Sequence, residues 1–116
     1  MTGGYAVSRR SGEGVRIDTV ELLVEETRDG ETALRITAPE VTEVLMADIS
    51  DEPMTVLSIK VTRSTGQVLE LPSVNAVVTV TRATPSLTRL AIQAPETVPI
   101  DRVDDGAKII DRLACR

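Results

Sequence analysis

Aliphatic and β-branched residues recur along this chain in short runs, many of them alternating with polar positions. Each run is cut off by glycine, proline or Asp-Gly before it reaches the length a helix needs, a pattern that predicts strands. Val15-Arg16-Ile17 follows the turn signal Ser11-Gly12-Glu13-Gly14, and Thr19-Val20-Glu21-Leu22-Leu23-Val24-Glu25-Glu26 leads to Arg28-Asp29-Gly30-Glu31, where Asp-Gly marks a hairpin. Leu34-Arg35-Ile36-Thr37 alternates and runs into Ala38-Pro39-Glu40; proline lacks a backbone donor, so Pro39 is expected to begin a loop or an edge strand. A short apolar run from Val41 to Leu45 comes next, then a polar stretch from Ala47 that predicts a helix start.

The same order then returns. Ser8-Arg9-Arg10-Ser11-Gly12-Glu13-Gly14-Val15-Arg16-Ile17 lies on Thr62-Arg63-Ser64-Thr65-Gly66-Gln67-Val68-Leu69-Glu70-Leu71, and Leu34 to Glu40 lies on Leu90-Ala91-Ile92-Gln93-Ala94-Pro95-Glu96. The offset is 54 positions at Arg9/Arg63 and 56 at Ala38/Ala94, so the second half carries two extra residues, expected in a hairpin loop. The repeat divides the chain into 1–53 and 54–116, joined at Asp51-Glu52-Pro53-Met54, with five short strands and a C-terminal helix (from Ala47 or Asp104) in each half. A unit of about 55 residues buries too little surface to stand alone, so the halves are expected to interlock as one folding unit. The fold class expected is all-β with a short C-terminal helix: two intertwined five-stranded repeats forming a pseudo-dimeric β-sandwich or barrel.

Composition narrows the chemistry. Tyr5 is the only aromatic residue, which leaves the core to Val, Leu, Ile, Met and Ala. Without histidine, and with Cys115 as the single cysteine, the chain lacks the parts for metal chelation, Cys–His catalysis or an internal disulfide. The acidic cluster Glu21, Glu25, Glu26, Asp29 and Glu31 has no metal-loop spacing and reads as a solvated face, while Ser11-Gly12-Glu13-Gly14 lacks the lysine of a phosphate loop. No enzyme and no cofactor are expected. No window offers the roughly 18 apolar residues of a membrane span, so a soluble, cytoplasmic protein is expected. The net charge of −5 argues against broad capture of nucleic acid and is unevenly spread, with 5 basic and 12 acidic residues over 1–53 against 8 and 6 over 54–116.

The series Thr/Ser-Arg-x-x-Gly-Glu/Gln, a hairpin, Ala-Pro-Glu and then Val98-Pro99-Ile100-Asp101-Arg102 resembles the carbon storage regulator (CsrA) family, and the likeness covers nearly the whole chain twice. Members of that family are intertwined homodimers that bind GGA elements in RNA hairpin loops near ribosome-binding sites and so repress translation. The resemblance implies that this chain is a monomer acting as a pseudo-dimer, with mRNA leaders or small regulatory RNA as partners and two composite sites. One would join Val7, Ser8, Arg9, Arg10, Gly12 and Glu13 to Val98, Pro99, Ile100, Asp101 and Arg102. The other would join Val61, Thr62, Arg63 and Ser64 to Val44, Leu45 and Met46. There Met46 stands where the family has its closing arginine and Ser64 replaces a second arginine, which implies a degenerate site. Glu40, Glu96 and Asp101 depart from the basic residues or histidine usual in the family.

The residue types suit loop recognition. RNA-binding proteins read unstacked bases on their edges, and an edge strand offers unpaired N–H and C=O groups at fixed spacing without aromatic stacking. Arginine adds a planar fork that methionine cannot imitate. Each feature also has a plainer reading: the arginines as solvated charges that keep strand edges from aggregating, Gly12 and Gly66 as positive-φ turn residues, Met46 as a cap on an apolar edge. The acidic first half also accommodates a protein-interaction module or decoy, for example one binding the flagellar assembly factor FliW.

Overall fold

The computed structural model of the chain describes residues 2–104. The predicted strand character is realised in nine strands: β1 (Thr2–Arg9), β2 (Gly14–Ile17), β3 (Val20–Arg28), β4 (Glu31–Val44), β5 (Met54–Ser64), β6 (Val68–Leu71), β7 (Ala76–Ala83), β8 (Thr88–Pro95) and β9 (Ile100–Val103). They form two antiparallel sheets, β1-β8-β7-β6 and β5-β4-β3-β2-β9. Period-two alternation sends Val20, Leu22 and Val24 of β3 inward, and likewise Val78 and Val80 of β7 and Leu90 and Ile92 of β8. These side chains meet Ile17, Leu34, Ile36, Leu69 and Leu71 in one aliphatic core, with Tyr5 packed at its margin. Full burial stabilises each such side chain by about 1.5–3 kcal/mol.

Both sheets are built from both ends of the chain. β1 pairs with β8, setting Val7 opposite Leu90 and Arg9 opposite Thr88, and β9 pairs with β2, setting Arg102 opposite Val15. Details of the backbone recur at the offsets read from the sequence. Gly12 and Gly66 have φ of 90° and 88°, and their N–H groups donate to Val24 O and Val80 O, both at 2.7 Å. In the first turn the Glu13 carboxylate accepts from the Arg10 N–H at 2.8 Å; in the second the Gln67 amide oxygen accepts from the Ser64 N–H at 2.7 Å. Matching β-bulges lie between Val24 and Glu26 and between Val80 and Arg82. The two extra residues sit in a hairpin loop. The β2–β3 connection is Asp18-Thr19, whereas β6 and β7 are joined through a 3-10 turn, Pro72–Val74, and Asn75.

Three expectations need correction or limit. Ala38-Pro39-Glu40 does not end a strand; β4 continues to Val44, which leaves the first half four strands where five were expected. Pro39 is tolerated because it falls between Thr37 and Thr42, where the pairing with β5 is interrupted and that with β3 has already ended, so its missing N–H breaks no ladder bond. In the second half the strand does stop, at Pro95, and a turn leads to β9. A helix from Ala47 is replaced by a single turn in which the N–H groups of Ile49 and Ser50 donate to Met46 O at 2.9 and 3.0 Å. The helix expected from Asp104 lies outside the described residues. No described helix is long and apolar enough to cross a membrane.

Candidate nucleic-acid interface

The exchange of end strands sets the outer edge of β1 beside that of β9. Among the described residues β1 is hydrogen-bonded only to β8 and β9 only to β2, so each is an edge strand of its sheet there. Two contacts tie them together across the sandwich. The Arg102 Nε donates to the Tyr5 hydroxyl at 3.2 Å, and the Arg9 Nη1 reaches Val103 O at 3.4 Å and Asp104 Oδ1 at 3.3 Å. The bond to Tyr5, with a smaller contribution from the charge of Asp104, raises the Arg102 pKa above its already high value. Ser8, Arg10, Pro99, Asp101 and Arg102 are exposed, Gly12, Glu13, Val98 and Ile100 half-buried, and Val7 is buried in the core. Of the first set of sequence-predicted residues, Arg9 and Arg102 make the contacts that join β1 to β9, Gly12 and Glu13 lie in the β1–β2 turn, and Pro99 O accepts from the Asp18 N–H.

Arg9 points inward. Its side chain is 8% exposed, and its Nε donates to Ser8 O at 2.8 Å. Arg63, at the equivalent position, is 3% exposed; it holds Asp48 through two bonds of 2.7 and 3.1 Å and donates to Val68 O at 3.1 Å. The first strand of each half therefore carries a buried arginine that grips an aspartate just after the last strand segment of the other half. Hydrogen bonds from Arg63 hold the Asp48 carboxyl below its ordinary pKa. Sequence reading missed both aspartates and the role of Tyr5, yet signals existed. Arg9 shares parity with Val7, and Arg63 with Val61, which places them on the core face. Asp48 and Asp104 each follow the closing position, Met46 or Arg102, by the same interval.

The second predicted set forms a weaker seam. Its closing segment contributes only Leu45, whose N–H and C=O exchange bonds of 2.9 and 2.8 Å with Glu70, against four paired residues for β9 on β2. Met46, at 7% exposure, and Val44 belong to the core, as does Val61. Where the first seam has Arg102 against Tyr5, the equivalent positions here hold Met46 and Ile59, both packed in or against the apolar cluster. Thr62 is exposed, Leu45 and Ser64 are half-buried, and Arg63 is taken up by Asp48.

Comparison with protein-family models, with curated proteins and with solved structures finds no match.

Proposed function

We propose that this chain is a single-chain, pseudo-dimeric RNA-binding regulator of the carbon storage regulator type, with tandem repeats, that takes a GGA-type hairpin loop along the β1/β9 seam and controls translation of the bound transcript. The observation that carries the reading is the juxtaposition of two edge strands from opposite ends of the chain, with exposed Arg102 anchored on Tyr5 and exposed Arg10 at the end of β1. Edge backbone groups and a fixed guanidinium are the hardware that reading base edges requires. In this reading Arg9 acts as a positioning residue that holds β1 to the β9 segment, and recognition falls to Ser8, Arg10, Arg102 and the strand edges. The Met46 seam has no exposed closing cation, so one RNA binds per chain.

A fluorescence-anisotropy titration with a GGA hairpin tests this. Saturation at one RNA per chain, lost in Arg102→Ala and kept in Met46→Ala, supports the reading. Absence of binding at low salt refutes it and favours a protein-interaction module, a reading consistent with the inward turn of Arg9 and the net charge of −5.

A further inference from the structure

Arg82 and Arg89 face each other as direct partners in the β7–β8 ladder. Like charges set opposite on a sheet are destabilising. Among the described residues neither guanidinium makes an ion pair or a hydrogen bond, although Arg16, Arg28 and Arg35, on the other sheet, are all paired with glutamates. Arg89 is also the direct partner of Ser8 on β1. Together with Thr84, Ser86 and Leu87 of the β7–β8 loop, these residues line an open hollow on the outer face of the four-stranded sheet. The loop is fixed, because the N–H groups of Ser86 and Leu87 both donate to the Thr84 hydroxyl.

The corresponding place on the other sheet is balanced in charge. Fifty-six positions earlier, Arg82 and Arg89 become Glu26 and Ala33, which are also direct partners, and Ser8 corresponds to Thr62, opposite Ala33. The hollow there is lined by Glu26, Arg28, Glu31, Ala33, Lys60 and Thr62 among others, and its arginine is neutralised by Glu26 at 2.9 Å and Glu31 at 3.3 Å. The sheet that carries β1 thus presents two guanidiniums without a carboxylate beside them, whereas on the sheet that carries β5 the two carboxylates Glu26 and Glu31 balance Arg28 and Lys60.

We propose that Arg82 and Arg89, with the hydroxyls of Ser8 and Ser86, form a phosphate-binding subsite that carries the RNA backbone from the β1 edge across the outer face of its sheet. This rests on the reading of the β1/β9 seam as an RNA site, and it makes the chain one-sided in charge as well as in base-reading groups. The subsite contributes affinity without sequence preference, since phosphate contacts position the chain and base contacts specify.

The test is anisotropy titration of the full chain with a GGA hairpin and with the same hairpin carrying CCU in the loop, from about 50 to 200 mM salt. For single strands each phosphate contact contributes about 0.7 to the slope of log K against log salt, so two contacts make wild type lose about sevenfold more affinity over that range than Arg82→Gln/Arg89→Gln. That result, with the GGA-to-CCU ratio unchanged, supports the subsite. Discrimination between hairpins with an unaltered salt slope in the double variant overturns the subsite and leaves the seam standing. Loss of slope in the double variant without discrimination in wild type supports the subsite and removes the seam reading. No binding of either hairpin overturns both. Arg28→Gln/Arg35→Gln, an equal change of net charge on the other sheet, is the control, and an equal loss of slope there also overturns the proposal.

Discussion

Gly14→Ala should be among the most damaging single-methyl additions this fold can receive. Gly14 lies in β2 with Leu23 of β3 on one side and Val103 of β9 on the other. A Cβ built there runs into the Leu22 carbonyl oxygen and crowds Leu22 C and Leu23 Cα, all backbone atoms. Relief by a side-chain rotation is therefore closed, and β3 cannot retreat because Leu22 and Leu23 are paired on their far side with Ile36 and Arg35 of β4. Overpacking costs about 1–3 kcal/mol, and the upper end applies where backbone must move. Loosening one ladder hydrogen bond adds about 1 kcal/mol, and the reduced freedom of the unfolded chain returns about 0.4–1 kcal/mol. The net is about 3 kcal/mol, or roughly 12 °C or more in Tm for a chain of this size. Gly12→Ala provides the contrast: its φ is 90° but among the described residues nothing lies within 4 Å, so the cost is the left-handed backbone, about 1–2 kcal/mol, less the same return from the unfolded chain. Urea unfolding of both variants measures the difference. Equal midpoints, or a loss below about 1 kcal/mol for Gly14→Ala, would refute the steric argument. Since β2 also carries β9, the same substitution should, if the β1/β9 seam takes RNA as proposed, weaken that binding in the fraction that stays folded.

Thr88 Oγ1 donates to Thr27 Oγ1 at 2.7 Å and Thr27 Oγ1 donates to Thr84 O at 2.6 Å, a chain that links the two sheets; Thr27→Val should cost about 1–3 kcal/mol by stranding a buried partner, read as a lower urea midpoint at unchanged m. Asp48 is held below its ordinary pKa by Arg63, so its contribution is present above about pH 4 and is lost as pH falls through the lowered folded value. Asp48→Asn should consequently lose less stability than wild type between pH 5 and pH 3, as measured by urea midpoints at the two values. Met46→Ala should cost about 2–5 kcal/mol of stability with RNA affinity intact, whereas Arg102→Ala should leave stability intact and lower affinity for the GGA hairpin roughly 5- to 150-fold; the two effects appearing exchanged would show that the seams had been misassigned.

Features tied to local backbone chemistry were legible in the sequence. The glycine turns at Gly12 and Gly66, the Asp-Gly hairpin and the position of the two extra residues all follow from conformations that few residue types adopt. The argument that neither half could bury its own core led only to the expectation that the halves interlock; which strands would be exchanged was implied by the family resemblance alone. What escaped were consequences of pairing partners distant in the chain. Pro39 reads locally as a strand terminator, and only the interrupted register between Thr37 and Thr42 makes room for it within β4. Arg9 and Arg63 read as surface charges by residue type, and their acceptors, Asp104 and Asp48, lie 95 and 15 positions away. The facing of Arg82 and Arg89 likewise depends on the bulge in β7, which shifts Arg82 into line with Arg89.

The placement of β1 has a consequence for biosynthesis. Its ladder partner is β8, whose first residue, Thr88, is translated long after Arg9. At about 5–20 residues per second, β1 waits roughly 4–16 seconds for its ladder partner, its edge open to chaperones or to other nascent chains. β1 is thus made before β2 to β7 yet paired after them, and a ribosome stalled before Thr88 would release a chain in which β1 has no ladder at all.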